Sequence, residues 1–500
     1  MSALTLVSTG MRPFQPLNTL GRSCSRMDYW RHSQRTIVQY LSPSRVESTS
    51  SSAATKSWLF KILIPCRTSR MRWSSIVRTN GLPPDSLTLI GICGCRLLTT
   101  KRIGPSLNTA LVTAEDVYAG QLAGCLQALH SGTTAVVDHF HCANSVEHIE
   151  KAIEATAESG LRCMLCISRQ SLPSSFEPFA FGNDAQVSKM QLDIIQSLAQ
   201  EDQGRLTPDG RVTLGLAYDV QGYDPQEDQR ILTLVRDLNV KPITLHYVGG
   251  PHGRAFSKKI RLWAEAGLLK EDVIFSHAND LLHEGCDPGE WDLLKASGAS
   301  TASTPEDELG MGHGSPVAYE AVRRGVKVGL GIDCASIVST EMFPAMRVAL
   351  QCERGRLHKV RADDGKGVKY NSLSAASAFR LATLGGAETA HVETQIGSIE
   401  VGKLADIVLY NADSVNLSNC SNCSDPFRGI VLHATAEDVQ WVFVNGEIVK
   451  RDGKLLRKEW SGVAENLKTR AAVIKEKVAN FDLEQRYASI DKQFGLALEV

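Results

Sequence analysis

Aromatic residues are sparse in this 500-residue chain, at 6%, and the formal net charge is only −1. That balance leaves no chain-wide basic footprint for nucleic acid or an anionic membrane surface. No stretch approaches the roughly 18 unbroken apolar residues of a membrane-spanning helix. No GxGxxG follows an early strand-like run, so an NAD- or phosphate-binding reading lacks its glycine fingerprint. The 13 cysteines lack a disulfide-framework spacing, which favours a reducing, cytoplasmic setting. The pair Cys163/Cys166 lies in an apolar strand-like run. Cys420/Cys423 has no second CxxC nearby to complete a zinc site, so packing explains both pairs better than metal.

What is present is ordinary globular material, 43% hydrophobic and 22% charged, which excludes disorder as the main state. At roughly 100–200 residues per domain, the length predicts two to four units, a large barrel counting as one. Charge is unevenly spread. Residues 1–100 hold 13 Lys/Arg against three acids (Asp28, Glu47, Asp85), leaving the other 400 at −11. This Ser- and Arg-rich segment shows no sustained period of 3.6 or 2.

From Thr113 onward the pattern is regular. TAEDVYAGQLAGCLQALHSG reads as a helix with Thr113 as N-cap, and TTAVVDHFH as a buried strand. The alternation continues through SVEHIEKAIEATAESG, LRCMLCIS, VTLGLAYDV, QEDQRILTLVRDLN, KPITLHYV, VIFSHAN, GASTAST and VKVGLGID. Helix–strand alternation with apolar strands predicts a parallel sheet. About seven strands between residues 133 and 333 come close to the eight of a closed (β/α)8 barrel. An open doubly wound sheet is the runner-up. Past about residue 395, short strands with Asn445-Gly446 and Asp452-Gly453 turns predict a small β domain. The expected organisation is an atypical segment at 1–110, a barrel at 111–395, small β-sandwich strands at 396–456 and a charged helical tail at 457–500, read as a helix pair.

His246, His277 and Asp333 fall at the C-terminal ends of three different strands, the face where barrel active sites sit. Two imidazoles and a carboxylate there suit a divalent metal such as zinc or iron(II). A histidine at a strand end can equally be just hydrogen-bonded, and spacing alone leaves both readings open.

The runs SGTTAVVDHFH, VTLGLAYD, LHY, SHAN, TPEDELGMGHGSP, GLGIDCASIVSTEMFPAMRVALQ and GSIEVGKLADIVLY resemble the metal-dependent amidohydrolase superfamily, in its triazine hydrolase and cytosine deaminase-like subgroup. The resemblance spans roughly residues 111–455. It implies a (β/α)8 barrel with a small β-sandwich and hydrolysis of a non-peptide C–N bond (or a C–halogen bond) of a small cyclic or amide-type substrate. It implies one divalent metal, zinc or iron, with His246 and Asp333 as ligands. Asp333 would also act as general base, and His277 would polarise substrate or steady hydroxide. His141, Glu306, Glu308 and His313 would contact substrate. The partner is then a small molecule rather than nucleic acid or membrane, and exposed barrel helices are compatible with a homo-oligomer.

Two departures stand out. Many deaminases of this kind carry Glu three residues after the fifth-strand His, where this chain has Gly249. The first-strand His-x-His is also absent, and His139-Phe140-His141 lies one strand too late to be that motif. With two of four ligands missing, the expectation is weak metal binding and little or no activity. The alternative is an inactive barrel that binds a small molecule or partner.

The N-terminal segment offers an explanation. In a shifted reading frame, codons for Pro83 to Leu98 can encode Pro-Gly-Phe-Ile-Asp-Ser-His-Arg-His-Leu-Trp-Met-Ser, the absent motif. Met71 to Leu82 and Arg102 to Ala110 become family-like in the same frame. Residues 1 to about 110 therefore read as a wrong frame or mis-splice in preference to a mitochondrial targeting extension, whose Arg- and Ser-rich, acid-poor signature they share. As written, the barrel is expected to lack its first strand.

Overall fold

A computed structural model describes residues 86–89 and 111–479, apart from 171–172, 177–178, 182–184, 220–223, 250–258, 336, 372, 419 and 421–424. The chain divides into two units, Met1–Ala53 and Ala54–Val500, and all described residues belong to the second. The stretches at Met71–Leu82 and Arg102–Ala110 on which the frame argument draws lie outside the described residues, as does 480–500.

Eight parallel strands form the main sheet. They are β1 (Ser86–Leu89), β2 (Thr133–Phe140), β3 (Arg162–Gln170), β6 (Val212–Asp219), β7 (Ile243–His246), β8 (Val273–Ser276), β9 (Ser300–Ser303) and β10 (Lys327–Leu330), in that spatial order. A short antiparallel hairpin, β4 (Pro173–Phe176) and β5 (Phe179–Phe181), is inserted after β3. The sheet curls until β10 lies beside β1, giving the expected (β/α)8 barrel. One expectation is corrected. The first-strand position is filled, because Ser86–Leu89 pairs in parallel with β2 from Ser86↔Thr133 to Leu89↔Val137. Its residues are Ser-Leu-Thr-Leu, so it brings no histidine.

Local chemistry explains the alternation. Thr113 caps the helix Ala114–His130 with a reciprocal box, its N–H donating to Asp116 Oδ2 at 2.8 Å while its hydroxyl accepts from the Asp116 N–H. The helix Val146–Ser159 starts at Ser145 and stops at Gly160, whose φ of 84° is left-handed. Every residue of β2 is buried, as a strand between barrel interior and helices must be.

Inside the barrel, Ala135, Val137, Met164, Cys166, Ala217, Ile274 and Ala302 pack with Ala387, Ala390 and Ile396, which lie in and just after the helix Leu384–Thr389. Strand residues two apart share a face. The apolar layer of Val137, Ala217 and Ala302 is therefore followed, toward the strand C-termini, by His139, Asp219 and Thr304. Hydrophobic packing fills one end of the barrel and leaves polar side chains at the other.

The second sheet is antiparallel, in the order β11 (Ile407–Tyr410), β12 (Val439–Val444), β13 (Glu447–Arg451) and β14 (Lys454–Leu455). Its hairpins turn at Asn445-Gly446 and Asp452-Gly453, with positive φ at all four residues, as tight hairpin turns of this composition demand. Arg162 on β3 forks onto Asp406 at 2.7 and 2.8 Å, and Asp406 also accepts the Asn445 N–H. Lys450, fully buried, donates to the carbonyls of His130 and Ala436. These charged groups join the barrel to the small sheet. In the expected tail, Trp460–Ala479 is one helix. Among the described residues no helix is long and apolar enough to cross a membrane.

Candidate active site

The site grows from the C-terminal ends of the strands. Asp219, the last residue of β6, reaches the next strand twice. Its Oδ1 accepts the backbone N–H of His246 at 3.0 Å, and its Oδ2 lies 2.5 Å from His246 Nδ1. The same Oδ2 is 3.0 Å from His139 Nε2 at the end of β2. On the other edge of that ring, Nδ1 is 2.9 Å from the Thr244 hydroxyl. His141 packs against both neighbours, with ring centroids 4.7 Å from His139 and 5.2 Å from His246. Its Nδ1 is 3.0 Å from Gln170 Oε1.

Beside this group stands a second one. His277 lies 5.5 Å from His246 in a stacked arrangement and 5.4 Å from His313 edge-on. Its Nε2 is 3.6 Å from Asp333 Oδ2, while its Nδ1 is 2.9 Å from the Thr304 hydroxyl and 3.7 Å from Glu308 Oε1. Glu308 is held in turn by the Thr304 N–H at 2.7 Å and the Ser303 hydroxyl at 3.1 Å. His277, Ala278 and Asp333 carry positive φ values of 67°, 56° and 59°. Such conformations in side-chain-bearing residues cluster at functional sites.

Charge follows geometry. Burial alone would raise the Asp219 carboxyl, but His246 and His139 hold it well below the usual range. Burial pushes the His139 ring down to about 4, against the pull of Asp219. Burial also opposes charge on His246, yet Asp219 wins and raises it. Asp333 is held down against its own burial by His277, Asp307 and His246. Asp307, fully buried, is pushed up by desolvation and by the Asp333 charge.

Of the residues expected from sequence, the structure brings together His141, His246, His277, Asp333, Glu308 and His313. Burial raises the Glu306 carboxyl, and Arg347 on the helix Met342–Asp363 counters that. Sequence reasoning missed Asp219 and Asp307 and gave His139 no ligand role. The pair His139/His141, set aside as one strand too late, supplies two imidazoles to the centre, because the strand period turns His139 inward beside Asp219.

The donor set fits a metal. One ligand atom each from His139, His141, Asp219 and His246 lie within 4.8 Å of one another. His139 Nε2 is buried and faces that cluster, with Asp219 Oδ2 3.0 Å away. Three imidazoles and one carboxylate are nitrogen and oxygen donors of the kind zinc and iron(II) accept. Asp333 lies outside this group of four.

Residues 96–449 match the amidohydrolase family, and the chain belongs to it. It is similar to a 5-methylthioadenosine/S-adenosylhomocysteine deaminase of Nitratidesulfovibrio vulgaris, 28% identical over 69% of this chain and 72% of that protein. It is similar to a 5′-deoxyadenosine deaminase of Methanothermobacter thermautotrophicus, also 28% identical, over 69% and 74%. Two solved structures share the fold. An adenosine deaminase of Xanthomonas campestris with bound zinc has TM-score 0.63 and 19% identity, covering 79% of this chain and 86% of that one. An atrazine chlorohydrolase of Arthrobacter aurescens complexed with zinc has TM-score 0.64 and 19% identity, covering 78% and 88%. The chain is a metal-dependent hydrolase of non-peptide carbon–nitrogen bonds, and the inactive-barrel alternative is not favoured.

Proposed function

We propose that the chain hydrolyses an exocyclic or amide-type C–N bond of a small nitrogen heterocycle at the mouth of the barrel, with its metal held by His139, His141, Asp219 and His246. The observation that carries this reading is the four-donor group beside the His277–Asp333 pair. Zinc or iron(II) bound there would lower the pKa of a water to about 7 and polarise the bond under attack.

The chain's own residues do the rest. Asp333, kept ionised, accepts the proton of the attacking water. His277, fixed by Thr304 and within reach of Asp333, hydrogen-bonds the oxygen as it adds to the carbon. The proton leaves with the amine, so water and an amino-substituted carbon become a hydroxyl or carbonyl and ammonia or an amine. Glu308 and His313 orient the ring from the far side of His277. Purine- and triazine-type amines are the class to test, in line with the substrates in the relatives' names, and pyrimidine amines join them through the cytosine deaminase-like motifs.

The expected weakness of metal binding rested on an absent first-strand His-x-His, and the β2 pair offers two imidazoles in its place. The test is release of ammonia from such amines by protein stripped with chelator and reloaded with zinc or iron(II). Activity that vanishes on stripping and returns on reloading supports the reading. Equal turnover in the stripped protein would refute it.

A further inference from the structure

Asn279 follows His277 by two residues and is 2% exposed. Its side-chain oxygen accepts the Gly249 N–H at 3.0 Å. Because a backbone N–H only donates, that contact fixes which end of the amide is oxygen. The amide nitrogen at the other end is buried and has no hydrogen-bond partner among the described residues. Buried donors in native proteins are paired, so this one calls for an acceptor from elsewhere.

Its surroundings place it between the segment that follows His246 and the loop that carries His313. A Cβ on Gly249 would lie 2.6 Å from the His313 carbonyl oxygen and 3.2 Å from the Asn279 carbonyl carbon. A Cβ on Gly314 would lie 3.6 Å from the Asn279 Cβ. Asn279 is thus wedged between the segment after His246 and the loop that carries His313, whose ring touches that of His277. Gly249, three residues after His246, is closed to a side chain, so no carboxylic acid can enter there. What the site offers at that rim is a neutral amide donor, which can hold an acceptor but cannot hand it a proton.

We propose that Asn279 Nδ2 is a substrate-recognition donor for an acceptor atom, a carbonyl oxygen or an imine-type ring nitrogen, next to the carbon attacked beside His277. The proposal rests on the reading that this site takes nitrogen heterocycles. It confines substrates to those whose acceptor needs only a hydrogen bond, and it makes a substrate lacking that acceptor a poor ligand.

The test is calorimetric binding to metal-loaded full chain of matched probes: 5′-deoxyadenosine with its 1-deaza and 7-deaza counterparts, and cytosine with 3-deazacytosine. Each deaza compound replaces one ring acceptor by C–H. Wild type should bind one deaza compound roughly 10-fold or more weaker than its parent. Asn279→Asp keeps an oxygen for the Gly249 N–H and removes the donor, and Asn279→Leu removes both. In the variants the parent should fall to the level of its deaza partner, with melting temperature followed to separate folding from recognition. Discrimination that persists in Asn279→Asp, or that is absent from wild type, overturns the role of Asn279 and leaves the proposed function standing. Binding of none of the probes by wild type removes the heterocycle reading, and this proposal with it.

Discussion

Asp219 clasps His246 at two points, its Oδ1 on the backbone N–H at 3.0 Å and its Oδ2 on Nδ1 at 2.5 Å. One carboxylate thereby sets both the end of strand β7 and the orientation of the ring that follows. The bidentate grip also makes the roles separable. Asp219→Asn keeps an acceptor for the backbone N–H and loses the charge facing His246 and His139. Metal affinity should fall by at least the roughly 10–100-fold that loss of a ligand's outer partner costs, while the fold survives. A zinc competition titration measures this, and unchanged affinity would mean Asp219 serves packing alone.

Gly249 tests the closed rim. Its Cβ position is 2.6 Å from a backbone oxygen, which cannot swing aside as a side-chain tip can. Gly249→Ala should lower unfolding free energy by about 1–3 kcal/mol, the range for overpacking, and reduce turnover by displacing the His313 loop. Gly249→Glu, which restores the residue of similar deaminases, should be worse rather than better. Urea denaturation with parallel assays checks both, and a gain of deamination in Gly249→Glu would contradict the steric argument.

The Arg162–Asp406 fork joins β3 to the residue preceding β11 and is nearly water-free, at 10% and 0% side-chain exposure. Removing one partner strands a buried charge. Arg162→Met should destabilise by about 3–5 kcal/mol, and Arg162→Met with Asp406→Leu should recover a large part of it. Denaturation midpoints of the three proteins decide. Equal loss in single and double variants would show that shape, not charge, holds this junction.

Lys450 gives a pH signature away from the active site. Burial lowers its ammonium to about 8, with Glu437 and Glu341 opposing. An unfolded chain returns it to about 10.4, so between those values the unfolded state binds more protons and stability rises with pH. Below pH 8 the penalty is fully present, and above about pH 10.5 it is gone. Unfolding free energies at about pH 7, 8.5 and 10 should climb more steeply in wild type than in Lys450→Met. Parallel curves would contradict the burial argument.

Much of this was legible in the residues. Capped helices alternating with apolar strands announce the barrel, and the Asn445-Gly446 and Asp452-Gly453 dipeptides announce the small sheet. His246, His277 and Asp333 stand out because each interrupts an apolar run at its C-terminal end. Asp219 and His139 were harder, since they continue strands whose other residues are almost all buried. The signal available was parity, with Ala217 and Val137 two residues back in the barrel interior. Glu306 sits two residues from Glu308 on the helix Pro305–Gly310, about 200° of turn away, so the two carboxyls point to different sides of that helix. Strand β1 was unreadable because SLTL is too short and too lightly patterned to predict. Its place is set by the open edge of β2.

The central claim is that the β2 histidines stand in the metal centre. The most direct measurement is metal content of the purified full chain, by elemental analysis, beside His139→Ala and His141→Ala variants. The account predicts close to one zinc or iron per wild-type chain and a marked loss in each variant with the fold retained. A wild type without bound metal, or variants that keep a full complement, would contradict it.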